Sequence, residues 1–149
     1  MTKPDDALAG VTRLGFDTAP IIYFVEAHPQ YDALVVELFQ RVADGILTGF
    51  TSAIALTEVL VHPLRHGDAH LQQQYRDLLL NSDNFETRSV DPHAAQCAAD
   101  LRARYNLRTP DALQIAAAMD AGCEAFLTSD ATLQRITELR VLVSDDLEL

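Results

Sequence analysis

Short β-type runs alternate with helical segments along almost the whole chain, and this alternation limits the fold more than any other feature. The runs expected as strands are Arg13 to Asp17, Ile46 to Thr51, Glu86 to Val90, Ala125 to Thr128 and Arg140 to Val143. Between them, Ala19 to Glu26, Tyr31 to Asp44, Ala53 to Val61, Ala69 to Leu80, Pro92 to Tyr105 and Thr109 to about Ala121 carry helical spacing or helix-start signals. In Tyr31 to Asp44 the apolar positions fall at 34, 35, 38, 39 and 42, with Gly45 where a cap belongs. Ser52 is placed to cap the third helix, while Pro63 and Gly67 are expected to break the helical pattern beyond Val61. A last short helix is expected over Ala131 to Thr137. Strands joined by helical crossovers pair in parallel, and the helices then bury both faces of the sheet.

Composition agrees with that picture. The chain has 149 residues, of which 48% are hydrophobic, enough for one α/β domain over residues 13–149 preceded by a flexible leader, 1–12. No apolar run approaches the roughly 18 residues of a membrane span, and Met1 to Arg13 does not read as a signal peptide, so a cytoplasmic protein is expected. Cys97 and Cys123 lack metal-ligand spacing and read as reduced, apolar-like side chains.

Four acids need more explanation than the rest. Asp17 and Asp130 each follow a strand, and Asp111 sits in the first turn of a helix that Thr109 is placed to cap and Pro110 to open. Glu58 is the only charged residue in the apolar run Ala53 to Val61. Taken singly, an acid in a first helical turn is accounted for by the helix dipole. In an open parallel sheet, however, the carboxyl ends of the strands line the ligand crevice, where Asp17, Asp111 and Asp130 can meet and Glu58 can close the ring. Ionised carboxylates share a small site only when protons or a cation neutralise them, and an all-oxygen donor set favours Mg²⁺ or Mn²⁺.

Four motifs in order make the reading more specific: Phe16-Asp17-Thr18, Thr57-Glu58, Thr109-Pro110-Asp111-Ala112 and Leu127-Thr128-Ser129-Asp130. With this spacing, from about Leu14 to Leu147, the chain resembles the PIN-domain family, and within it the VapC-like ribonuclease toxins of type II toxin/antitoxin pairs. The resemblance implies a three-layer α/β/α sandwich around a mostly parallel sheet of four or five strands. It also implies a Mg²⁺- or Mn²⁺-dependent endoribonuclease with Asp17, Glu58, Asp111 and Asp130 as its catalytic and metal-holding acids. A cognate antitoxin and a homodimer are implied as partners. Ser129 stands where relatives commonly carry asparagine, a departure that bears on local hydrogen bonding more than on the acid itself.

Thr18 and Thr128 are supporting candidates, able to hold a ligand or a water through their hydroxyls; for Thr18 a helix-start role is the simpler expectation. Net charge is −11, with 22 acids against 11 basic residues, which argues against broad nonspecific phosphate binding and calls for a small local patch or a narrow, structured RNA target. Arg65 and Arg108, near the motifs, are the candidates for that patch, although each also reads as a solvated surface arginine. His62, His66 and His70 recur every four residues, but Pro63 and Gly67 between them favour surface histidines over a metal face. Phe16, Tyr23, Phe24, Phe50 and Phe126 read as core. The chain has no glycine-rich phosphate loop and no nucleophile elbow, and its sole lysine, Lys3, does not support a phosphoaspartate receiver. The alternative function is a catalytically weak PIN-like interaction module that retains the acids.

Overall fold

A computed structural model describes all 149 residues. Five strands, β1 (Arg13–Phe16), β2 (Thr48–Ser52), β3 (Phe85–Arg88), β4 (Ala125–Thr128) and β5 (Arg140–Val143), form one sheet in the order β3-β2-β1-β4-β5. Every pairing is parallel, with Leu14 opposite Gly49 on one side and Ala125 on the other. The strand order reverses at β1, so the crevice beside its carboxyl end is the place where such a sheet holds ligands.

Helices α1 (Pro4–Ala7), α2 (Thr18–Val25), α3 (Asp32–Ala43), α4 (Ala53–Arg65), α5 (Ala69–Asn81), α6 (Pro92–Tyr105) and α7 (Thr109–Asp120) make the crossovers and the leader turn. Residues alternate across each strand, and the core divides accordingly. Leu14, Phe16, Ala125 and Leu127 pack with Val35, Leu38, Phe39, Tyr75 and Leu79 on one face. Phe50 and Phe126 pack with Leu101, Ala112, Ile115 and Ala118 on the other. The alanine-rich character of α7 has a packing reason: a Cβ placed on Gly15 would come within 2.9 Å of both Ala118 Cβ and Phe126 Cδ1. Small residues on both sides let this helix lie close against the centre of the sheet.

Several sequence expectations need correction. The leader, expected to be flexible, is docked: Thr2 N–H donates to Asp146 at 2.9 Å, Glu148 N–H donates to Thr2 at 2.9 Å, and Ala7, Leu8 and Val11 are buried. Its apolar residues cover the core beside the last strand, which outweighs the polar opening. Pro63 does not end α4. It lies in the final turn, where the helix has few further bonds to lose, and its ring is buried. The break comes instead at His66 to Asp68. Thr109 does not cap α7: the cap position is Arg108, with no side-chain bond, and Thr109 is the first helical residue. The helix thus starts one residue early relative to its capping signal, and Pro110 occupies its second position. The expected Ala131–Thr137 helix is a 3-10 turn over Ala131–Arg135.

Candidate functional site

Asp17 lies at the carboxyl end of β1 and caps α2, accepting a hydrogen bond from Thr18 N–H at 2.8 Å. Its own N–H donates to Leu127 at 2.9 Å, which fixes it beside β4. Two residues beyond β4, Asp130 caps the 3-10 turn and accepts from the N–H and the hydroxyl of Thr132 at 2.9 and 2.7 Å. Asp111 is in the first turn of α7, and Glu58 is on the exposed side of α4. All four, with Thr18, Ala19, Ile22, Arg108 and Ser129, line one cavity of about 230 Å³. The acids that the motifs singled out therefore share one cleft at the carboxyl end of the sheet.

Two threonine hydroxyls organise these acids. Thr128, fully buried, accepts from Asp130 N–H at 3.0 Å and donates to Asp17 Oδ2 at 2.7 Å. Thr18 donates to Glu58 Oε1 at 2.8 Å while accepting from Gln114 Nε2 at 3.0 Å. Thr18 thus lines the cleft while Thr128 lies buried behind it, and the Thr18 hydroxyl serves Glu58 and leaves helix capping to Asp17. Ser52 and Gln114 extend the network behind the cleft and were not foreseen as site residues. The available signal was a lone amide in an alanine-rich helix, three residues and so one turn past Asp111.

Folding treats the acids unequally. Burial raises the Asp17 carboxyl above its ordinary 3.8, the bonds from Thr128 and Thr18 offset part of that, and the neighbouring Asp111 and Glu58 charges add to the rise. Asp130 is held below the ordinary range, chiefly by the Thr132 hydroxyl. Arg108 is the one cationic side chain lining the cleft. Its Nε lies 3.1 Å from Asp111 Oδ2, the carboxylate 14% and the guanidinium 77% exposed. Arg65, at the end of α4, does not line the cavity.

The donor chemistry fits a hard divalent cation: carboxylates and hydroxyls converge here, and a positive charge would relieve Asp17. The arrangement is open, since no three His, Cys, Asp or Glu side chains stand together in metal-holding geometry. The three histidines form no site either; His66 Nδ1 lies 2.9 Å from the His62 carbonyl. Cys123 is buried, which pushes its thiol up to about 12 and rules it out as a nucleophile. A larger hollow of about 290 Å³ walled by Phe24, Phe39, Leu78 and Phe85 is mainly apolar and brings no convergent chemistry. We therefore place the site in the smaller, polar cleft.

A family model described as PIN domain matches residues 16–139. Solved structures with the same fold include VapBC2 from Rickettsia felis bound to a DNA fragment from its promoter, at 18% identity and TM-score 0.68, covering 89% of this chain and 98% of that one. A toxin-antitoxin complex from Klebsiella pneumoniae aligns at 22% identity and TM-score 0.67, covering 88% and 97%. FitAcB from Neisseria gonorrhoeae aligns at 17% identity and TM-score 0.66, with the same coverage of 88% and 97%. No curated protein matches the sequence. At these identities the structural neighbours establish the fold, with its all-parallel five-stranded sheet.

Proposed function

The chain belongs to the PIN-domain family, and from that premise we propose that its acidic cleft is the active site of a metal-dependent endoribonuclease. The observation that carries this reading is that four acids from four separate elements line one cleft at the point where the strand order reverses. Asp17, Asp111, Asp130 and Glu58 would hold Mg²⁺ or Mn²⁺. The ion, when bound, supplies Lewis acidity and a water of lowered pKa for hydrolysis of a phosphodiester.

The remaining roles belong to the protein. Thr128 keeps Asp17 Oδ2 in place, Thr18 does the same for Glu58, and Asp17 and Asp130 are linked through one hydroxyl. Arg108, exposed at the rim, faces a phosphate of the bound strand once Asp111 is engaged elsewhere. With a net charge of −11 the outer surface repels nucleic acid, so the substrate is a narrow, structured RNA gripped at the cleft.

Membership of the family, together with a fold shared with toxin-antitoxin complexes, supports a biological role as the toxin of such a pair, held as a homodimer with a cognate antitoxin over the cleft. No helix is long and apolar enough to cross a membrane, which fits action on RNA in the cytoplasm. Incubation with structured RNA tests the enzyme reading. Cleavage should require Mg²⁺ or Mn²⁺, stop with chelator and be lost in Asp111→Asn. Chelator-resistant cleavage would overturn it, and Mn²⁺ binding without turnover on any RNA would favour the interaction module.

A further inference from the structure

Behind the cleft a continuous run of hydrogen bonds connects the end of β2 to Glu58. Ile54 N–H donates to Ser52 Oγ at 3.2 Å, Ser52 Oγ donates to Gln114 Oε1 at 2.5 Å, Gln114 Nε2 donates to Thr18 Oγ1 at 3.0 Å, and Thr18 donates to Glu58 at 2.8 Å. The run crosses from the start of α4 to α7, to α2 and back to α4. Ser52 is 0% and Gln114 3% exposed, so water cannot substitute for a missing partner.

The direction of every bond is set by its neighbours. Ile54 N–H occupies one lone pair of Ser52 Oγ, and the buried hydroxyl proton still needs an acceptor, which the Gln114 amide oxygen supplies. The amide NH₂ then faces Thr18, and a hydroxyl that accepts on that side has its own proton free for Glu58. Turning the amide over would put two donors on Ser52 and draw the Thr18 proton away from the carboxylate. One orientation satisfies all the groups, and it ends on the acid.

We propose that Gln114 is a positioning residue of the cleft: its buried amide aims the Thr18 hydroxyl and so fixes Glu58 as a cation ligand. The proposal rests on reading the cleft as a divalent-cation site. It explains why a polar side chain stands in a face of α7 otherwise made of Ala112, Ile115, Ala116 and Ala118. It also explains how Glu58, an exposed carboxylate on a flexible stem, is held without a cationic partner. Supporting groups of this kind typically change metal affinity by about ten- to a hundredfold when removed.

The test is Mn²⁺ titration by calorimetry of the full chain, with Gln114→Met, Glu58→Gln and the double variant. Gln114→Met should weaken Mn²⁺ binding about tenfold. It should have no further effect in the Glu58→Gln background, because it acts through that residue. Should Gln114→Met fold poorly, Thr18→Val breaks the same run at a half-buried position and should show the same loss and the same coupling. Unchanged affinity in a folded Gln114→Met protein, or losses that simply add, would overturn the positioning role while leaving the cation site intact. Absence of Mn²⁺ binding by the unaltered protein would instead overturn the reading of the cleft itself, and this role with it.

Discussion

Glu124, just before β4, and Asp17, just after β1, are carboxylates at opposite ends of neighbouring strands, and folding acts on their charges in opposite senses. Glu124 accepts from the N–H groups of Thr12 and Arg13 at 2.9 and 2.7 Å and from the Thr12 hydroxyl at 3.3 Å. Its backbone bonds to Arg13 and Arg140, so it joins the amino ends of three strands. Burial disfavours its charge, but the Arg13 and Thr12 amides outweigh that and hold the carboxyl below its ordinary 4.5. Asp17 also accepts a backbone amide, yet burial and then two neighbouring acids raise it. Donors surround the first carboxylate, whereas the second faces other acids across a cleft. The first is an acid used to hold strands together. The second is an acid kept at a cost to stability, as expected where charge is stored for a ligand.

The contrast can be broken most severely at the carboxyl end. Asp17→Asn should abolish metal-dependent RNA cleavage, measured against a chelator control, while raising the melting temperature at neutral pH. The sign comes from linkage. A carboxyl raised on folding favours the native state below its unfolded value near 3.8 and loses that contribution as pH rises through its folded value. Removing the ionisable group therefore removes a penalty at pH 7. At the amino end the outcome should invert. Glu124→Ala should lose about 1 kcal/mol in urea unfolding, because two strand-end amides lose a charged acceptor at a site where water replaces part of it. Its contribution, present above the unfolded value near 4.5, should fade as pH falls through the lower folded value. Cleavage per folded molecule should be unaltered. The smallest effect is expected for Arg108→Ala. With the guanidinium in solvent, the Arg108–Asp111 pair contributes little to stability, so thermal unfolding should barely move while RNA affinity falls.

The same contrast shows what was legible in the residues. Strand and helix bounds were clear where apolar runs and caps coincide, as at Ala125–Thr128, Arg140–Val143 and Pro92–Tyr105. The four acids were legible as a group because each sits at a strand end or helix start or breaks an apolar helix, and the sheet brings such positions to one mouth. Glu124 was not, since nothing local distinguishes an exposed acid from one that will meet Thr12 and Arg13 more than a hundred residues earlier in the chain. Gln114 was hidden for a similar reason: its partners Ser52 and Thr18 come from other elements, and in sequence it is one polar residue in a helical pattern. Docking of the leader is not legible in the sequence because Ala7, Leu8 and Val11 are spaced too sparsely to signal an element, although they reach the core. Pro63 misled in the opposite direction, since a proline near a helix end is far less disruptive than one in its middle.

The most direct test of the central claim, that the carboxyl end alone is built for a cation, is a calorimetric titration of Mn²⁺ into the unaltered protein, Asp17→Asn and Glu124→Gln side by side. Saturable binding is expected, lost in Asp17→Asn and kept in Glu124→Gln. No binding heat at millimolar Mn²⁺ in the unaltered protein, or binding that survives in Asp17→Asn, would contradict it.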